Sequence, residues 1–204
     1  MAMDTKERAR LYFRLGEQYA EAAKLLLVTL INNGNSNAGI GKTPEDALRE
    51  MEKNSTKSDL YLFAPAVFNC LQCTELFIKG LLLLSGKEFK KDHGVEELIE
   101  VLRKTYPKDV SVNITIKAFY ENQISIIEEF RQTNCLLTSK DLYMSLRYPE
   151  IVLKRETEKE NVTIDYSALI CNGDVGIEQF NLLADSLEAV RIATVKEYHT
   201  QCSQ

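Results

Sequence analysis

The sequence lacks an excess of basic charge, a long apolar run and a signal-peptide core. Its 30 acidic residues outnumber 25 basic ones, which gives a net charge of −5. Because this charge repels phosphate, any nucleic-acid contact needs a local basic patch. No uninterrupted apolar run reaches the roughly 18 residues that span a bilayer, so we expect no membrane contact. The opening stretch MAMDTKERARLYF has no apolar core, and we therefore expect a cytoplasmic protein.

Metal-binding and redox residues are also few, with five cysteines and two histidines. The odd number and irregular spacing of the cysteines predict reduced thiols rather than a disulfide framework. Cys70 and Cys73 form a Cys-x-x-Cys, but they lie well inside a predicted helix, away from the N-terminus that would lower a thiol pKa. A structural zinc site needs four ligands, and no second paired motif supplies them. We interpret both cysteines as core residues and predict neither a metal site nor a cofactor.

What is present is mainly helical periodicity. It predicts long helices over residues 6–31, 58–85, 112–137 and 175–199, and a further helix ending before Pro107. Pro65 implies either a kink in the second long helix or a start near Ala64. The first helix has an apolar stripe at steps of three and four, which predicts its buried face. The stripe consists of Leu11, Leu15, Tyr19, Ala22, Leu26 and Leu30.

Two segments interrupt the helices. Residues 32–57 read as a connector with a short helix that Thr43 caps and Pro44 begins. Within it, SNAGIGKT resembles the end of a phosphate-binding P-loop, but the first glycine and the preceding strand are missing, which favours a plain loop. EIVLK and NVTID predict a β-hairpin in an insertion over 150–172, and CNGDVG predicts a turn. Residues 1–204 are thus predicted to form one all-α domain: an up-and-down bundle of four to five long helices with a small β-hairpin insertion.

The helix over 58–85 carries a narrow polar stripe on an otherwise apolar surface. Asn69, Gln72, Glu75 and Lys79 follow one another at steps of three, three and four. Glu75 and Lys79 form an i, i+4 pair in the favourable order. The stripe is either a solvated face of the helix or the lining of a cleft or dimer seam.

Further polar candidates lie towards the C-terminus. In DLYMSLRYPE, Arg147 could pair with phosphate, and Tyr143 or Tyr148 could stack on a base, although Tyr-Pro often just ends a helix. His93 opens the third helix and is either a capping or surface residue or part of a site. The candidates for catalysis are weak. They are His93, Arg131, Arg191 and His199, of which Arg191 and His199 lie about 80° apart around one helix.

These residues together resemble the HEPN domain family. CLQCTELFIKGLLLLSGKEF, then DHGVEELIEVL, then LYMSLRYPE follow the order of its nucleotidyltransferase-associated branch. The resemblance implies a helical bundle, usually dimeric, with roles in toxin–antitoxin pairs, phage defence or RNA processing. The positions that match are Glu75, Lys79, Gly86, His93, Tyr143, Arg147, Tyr148 and Pro149.

Catalytic members of that family resemble metal-independent ribonucleases with an Arg followed, after four to six residues, by His. Neither histidine of this chain follows an arginine at that interval. The leading hypothesis is a homodimer that binds nucleotide, RNA or a partner such as a nucleotidyltransferase-type antitoxin. A ribonuclease and a purely structural bundle are the alternatives. The expected ligand groove comprises Gln72, Glu75, Lys79, His93, Tyr143, Arg147 and Tyr148.

Overall fold

The computed structural model describes residues 4–32, 43, 45–46, 49, 57–89, 94–106, 111–154, 158–166 and 173–202, with the backbone alone at 57–61 and 173–175. The helices are α1 (Thr5–Asn32), α2 (Lys57–Leu84), α3 (Val95–Thr105), α4 (Ser111–Ile126), α5 (Glu128–Thr133), α6 (Ser139–Ser145) and α7 (Gly173–Cys202). The strands are β1 (Glu150–Lys154) and β2 (Lys159–Thr163). The predicted all-α bundle with a small β-hairpin is confirmed.

Helix α2 is the centre of the bundle. It packs most extensively against α1 and also contacts α3, α4 and α7, so every side chain from Cys70 to Leu83 is buried. Residues Leu62–Leu84 are long and apolar enough to cross a membrane, but 83% of that window is buried inside the fold, as is typical of a core helix. The helix continues through Pro65 rather than beginning near it.

Gly86 ends α2 in the way the sequence predicts. Its φ of 72° is a left-handed conformation that glycine adopts without a steric penalty. The Gly86 N–H donates to the Leu83 carbonyl and the Lys87 N–H to the Leu82 carbonyl, both at 2.9 Å. This pair of bonds is a Schellman motif, which satisfies carbonyls that the helix end leaves without partners.

Helices α1 and α2 approach closely because each has a glycine facing a phenylalanine of the other. A Cβ on Gly16 would lie 2.7 Å from a Phe77 ring carbon, and one on Gly80 would lie 2.9 Å from a Phe13 ring carbon. The apolar stripe predicted for α1 is therefore partly wrong, since Leu11 and Leu15 are 48% and 43% exposed. Small residues mark the true contact face, because they let the two backbones come together. The buried residues of α1 are Ala9, Gly16, Ala20, Ala23, Leu27 and Leu30.

The single helix predicted over 112–137 is two helices and a loop. α4 ends at Ile126 and Ile127 leaves helical geometry (φ −120°, ψ 18°) before α5 begins. α5 then ends at Thr133, and Cys135 has a φ of 52°. The apolar line of the prediction is nevertheless buried, because the break keeps both pieces on the same side of the core. That line consists of Ile116, Phe119, Gln123, Ile127, Phe130 and Asn134.

The β-hairpin is present as predicted, paired antiparallel from Glu150 opposite Thr163 to Lys154 opposite Lys159. β1 coincides with EIVLK, whereas β2 begins and ends two residues earlier than the predicted NVTID. Ile151 and Leu153 are its buried side chains, and β1 packs on α6. In the connector, the Asp46 N–H donates to Thr43 Oγ1 at 3.1 Å, so the predicted cap at Thr43 is present. The P-loop-like stretch before Thr43 lies outside the described residues, whereas the predicted CNGDVG turn overlaps the first turn of α7.

Candidate functional site

The polar stripe of α2 is buried at three of its four residues, and Asn69 at its start is half-buried. Gln72 is 9% exposed, Glu75 3% and Lys79 6%. The interpretation of the stripe as a solvated face is therefore wrong, because these side chains point into the interior of the bundle. Buried polar groups persist only where hydrogen bonds or ion pairs compensate for lost hydration.

At the C-terminal end of the stripe, Glu75 and Lys79 compensate for each other's lost hydration. Lys79 Nζ donates to Glu75 Oε1 at 2.6 Å, one helical turn away. The ammonium also lies 5.5 Å from the centre of the Phe89 ring, a cation–π distance. Tyr12 of α1 packs edge-on against Phe89, so the aromatic residues close this end of the stripe.

Gln72 connects the stripe to α6. The Tyr143 hydroxyl donates to Gln72 Oε1 at 2.5 Å, and the Tyr143 ring lies 5.1 Å from that of Phe68. Burial raises the pKa of Tyr143, and the Glu75 carboxylate raises it further, while Arg147 opposes the rise. Tyr143 is therefore a neutral hydrogen-bond donor at physiological pH, held by two residues of α2.

Arg147, just beyond α6, lies against three aromatic rings. Its guanidinium carbon is 5.1 Å from the ring centre of Tyr148, 5.5 Å from that of Tyr143 and 5.8 Å from that of Phe68. The residue is exposed, and it forms no ion pair with any residue that the structure describes. Stacking on aromatic faces orients a guanidinium and leaves its N–H edge available to an anion.

The position of Arg147 depends on how α6 is fixed at its start. Thr138 and Asp141 cap it reciprocally: the Asp141 N–H donates to Thr138 Oγ1 at 3.1 Å, and the Thr138 N–H donates to Asp141 Oδ2 at 3.2 Å. Such a capping box satisfies two of the free N–H groups of a helix start.

A second set of contacts joins the starts of α3 and α6. Glu96 of α3 accepts from the Ser139 N–H at 3.1 Å and from the Tyr120 hydroxyl at 2.5 Å, and it also contacts the Ser139 hydroxyl. Ser139 in turn accepts from the Val95 N–H at 3.0 Å. Each helix therefore caps the other, and Glu96 raises the pKa of Tyr120 in addition to the larger effect of burial.

The remaining catalytic candidates are dispersed in the described part of the fold. Arg131 pairs with Glu128 at 3.3 Å. Arg191 binds three glutamates, Glu17 and Glu21 of α1 and Glu188 of its own helix, at 2.8–3.1 Å. The ring of His199 packs against Tyr198. His93 lies outside the described residues.

Cys70 and Cys73 are core residues, as predicted. Both are fully buried, and Cys73 Sγ donates to the Cys70 carbonyl at 3.1 Å. Burial raises the pKa of both thiols, which opposes the thiolate that redox chemistry requires.

Sequence reasoning missed the residues that support the site rather than form it. Phe68 lies one turn before Gln72 on the same helix, so helix geometry alone places it beside the predicted stripe. Glu96 and Ser139 are 43 positions apart. No local pattern links two residues so distant, because their contact depends on the packing of α3 against α6.

One of three comparisons with known proteins identifies a family. A family model described as the HEPN domain matches residues 43–166, more than half of the 204-residue chain. Neither the curated proteins nor the solved structures contain a significant match. The matched segment includes α2, α6 and every residue around Arg147. The chain belongs to the HEPN domain family, and this membership points to a nucleotide- or RNA-related function.

Proposed function

We propose that this protein binds single-stranded RNA, with Arg147 contacting a phosphate. The observation that supports the proposal is the exposed guanidinium supported by three aromatic rings and without an ion pair among the described residues. A planar guanidinium binds two phosphate oxygens at once, and pre-orientation by the rings lowers the entropy lost on binding. Such a local cation is what a chain of net charge −5 needs to attract phosphate.

The buried residues of the groove hold Arg147 in place in this proposal. Lys79 is engaged with Glu75 and buried, so it supports the interior rather than reaching a phosphate. Gln72 fixes the Tyr143 hydroxyl, and Tyr143 with Phe68 and Tyr148 orients the guanidinium. The phosphate contact is thus assigned to Arg147, and positioning to Gln72, Tyr143 and Tyr148.

The test is the affinity for a fluorescein-labelled oligoribonucleotide, measured by anisotropy over a salt series. We expect Arg147→Ala to weaken binding about tenfold and to reduce the salt slope by about one, because one phosphate contact is lost. The affinity of Arg147→Lys should lie between those of the unaltered protein and Arg147→Ala. This variant keeps the charge but loses the planar guanidinium that contacts the rings.

The matched control is Arg103→Ala. Arg103 is an exposed arginine of α3 that pairs with Glu100 at 3.3 Å, and its loss removes the same net charge. Affinity should then remain within about twofold of the unaltered protein, because an exposed charge outside the proposed contact acts weakly at physiological salt. An unchanged affinity for Arg147→Ala, or an equal loss for both variants, would contradict the proposal.

The other hypotheses from the sequence remain predictions. A ribonuclease would need a histidine beside an arginine, and the described residues place Arg191 among glutamates and His199 beside Tyr198. A nucleotidyltransferase-type partner, a toxin–antitoxin or phage-defence role and cytoplasmic location also stay predictions. The homodimer that the resemblance implies stays a prediction as well.

A further inference from the structure

The outer edge of β1 carries backbone groups that β2 does not use. The Ile164 N–H donates to the Pro149 carbonyl at 2.8 Å, and this pair continues the β1–β2 register. Hydrogen-bonded pairs alternate along an antiparallel ladder, so Ile151 also bonds to β2, whereas the N–H and C=O groups of Glu150 and Val152 point away from it. These outward groups have no backbone partner in the described part of the chain. Hydrogen-bond donors and acceptors thus alternate along this edge.

A cleft of about 570 Å³ opens on the same edge. None of its described lining residues belongs to β2, which places it on the outer side of β1, and α6 forms the opposite wall. Protein sites for small ligands have volumes of about 300–1,000 Å³. Because α6 closes one side, the edge is open to a small flat group rather than to another sheet.

The lining of the cleft suits an uncharged aromatic ring. Met144, Tyr148 and Val152 supply apolar surface, and the latter two are 42% and 53% exposed. The charged lining residues are two lysines and two carboxylates, whose charges cancel: Lys140, Lys154, Asp141 and Glu150. Balanced charges do not attract an anion, so the cleft suits the base of a nucleotide better than a second phosphate. The donors and acceptors along β1 complement the edge of a base, which also places donors beside acceptors.

Tyr148 joins the cleft to Arg147. This tyrosine lines the cleft, and the centre of its ring lies 5.1 Å from the guanidinium carbon of Arg147. A nucleotide whose phosphate contacts Arg147 therefore has the cleft beside it. In single-stranded RNA the bases can turn outward and stack on aromatic side chains. Such stacking tolerates different sequences, because every base has a flat π face.

We propose that the cleft between α6 and β1 holds the base of the nucleotide whose phosphate Arg147 contacts. The base stacks on Tyr148 and packs against Met144, and its polar edge forms hydrogen bonds with the outward backbone groups of Glu150 and Val152. The inference rests on the proposed function and adds a subsite to it. Arg147 supplies the attraction for phosphate, and the cleft makes the affinity depend on the presence of bases.

Two probes of equal length test the proposal by fluorescence anisotropy. One is a fluorescein-labelled oligouridylate, and the other is a labelled ribose–phosphate chain that has no bases. Both carry the same phosphates, so the salt slope should be the same for both. We expect the abasic chain to bind about tenfold more weakly, because stacking on an aromatic side chain is lost. Arg147→Ala should weaken the binding of both probes, because each presents the phosphate.

Two proline variants form a matched pair that locates the base on β1. Val152→Pro removes an N–H on the cleft side of β1 and leaves the β1–β2 bonds intact. Asn161→Pro, at the residue opposite Val152, removes the equivalent N–H on the other edge of the hairpin. We expect Val152→Pro to weaken oligouridylate binding about fivefold, because one hydrogen bond to the base is lost, and to weaken abasic binding much less. Asn161→Pro should keep the affinity for both probes within about twofold, because its N–H lies outside the cleft.

Tyr148→Leu tests the stacking without a change in the hairpin. Its loss of affinity should be larger for oligouridylate than for the abasic chain, because only the first probe loses a stacked base. An equal loss for the two probes would mean that Tyr148 only positions Arg147, and would overturn the proposal.

The remaining outcomes separate this inference from the proposed function. Equal affinity of the unaltered protein for the two probes would overturn the cleft assignment, and so would a Val152→Pro variant that binds oligouridylate as tightly as Asn161→Pro. In both cases a weakening of both probes by Arg147→Ala would leave the phosphate contact in place. Unchanged affinity of Arg147→Ala for both probes would overturn the proposed function and this inference together.

Discussion

At the scale of single residues, the pair Glu75–Lys79 shows how the fold tolerates charge in its interior. Both side chains are at least 93% buried, and the 2.6 Å contact compensates part of the hydration that each loses. The pair is connected to the exposed site through Tyr143, whose pKa Glu75 raises. A change at this pair therefore affects stability first and the geometry around Arg147 second.

Removing the lysine should be costly. We expect Lys79→Met to lower the free energy of unfolding by about 3 kcal/mol, because the Glu75 carboxylate stays buried without its ammonium. The double variant Glu75→Gln with Lys79→Met should recover much of that loss, since no net charge remains in the interior. Urea titration of the single and double variants measures the coupling. Additive losses would show that the two side chains act independently.

At the scale of secondary-structure elements, the contact between α1 and α2 depends on two glycines in different surroundings. Gly16 faces Phe77, which is fully buried, whereas Gly80 faces Phe13, which is half-buried and can move. A buried ring surrounded by core residues cannot shift to accept an extra methyl group. The same substitution should therefore have different effects at the two positions.

We expect Gly16→Ala to destabilise the protein by about 1–2 kcal/mol, because overpacking against Phe77 outweighs the better helix propensity of alanine. Gly80→Ala should cost less than half as much, because Phe13 can rotate towards solvent. Thermal and urea unfolding of both variants make the comparison. If Gly80→Ala proves the more damaging change, the assigned roles of Phe77 and Phe13 are wrong.

The elements also show what the sequence could and could not predict. The C-terminal end of α2, the cap at Thr43 and the first hairpin strand followed from local signals, namely Gly86, Thr-Pro and a β-branched run. The buried face of α1 did not, because small residues at a close helix contact carry little hydrophobic signal. The polar stripe on α2 could be predicted from the spacing of its residues. Its burial could not be predicted, because it depends on which helices cover it. The contact of Glu96 with Ser139 required the whole tertiary fold.

At the scale of the whole molecule, buried phenols and thiols predict sensitivity to alkali. Burial raises the pKa of Tyr106 to about 12 from an ordinary value of 10.0, and its hydroxyl donates to the Leu81 carbonyl at 3.1 Å. The pKa values of Tyr143, Cys70 and Cys73 are raised as well. A group with a raised folded-state pKa stabilises the fold below its unfolded-state pKa, and this contribution is lost as pH rises.

We therefore expect the free energy of unfolding to fall between pH 9 and about pH 12, the window set by the ordinary thiol pKa and the raised Tyr106 pKa. Tyr106→Phe should make the decline shallower above pH 10, although the variant loses the hydrogen bond to Leu81 at neutral pH. Urea unfolding at a series of pH values measures both slopes. An identical slope for Tyr106→Phe would exclude this tyrosine as a contributor.

The reciprocal caps between α3 and α6 have a consequence for motion. Because Ser139 serves the first N–H of α3 and Glu96 serves the first N–H of α6, neither helix start can fray without exposing the other. Two segments more than forty residues apart thus behave as one cooperative unit on the timescale of local opening. The loop that carries Arg147 follows directly from that unit, so the persistence of its orientation depends on a junction at the opposite end of α6.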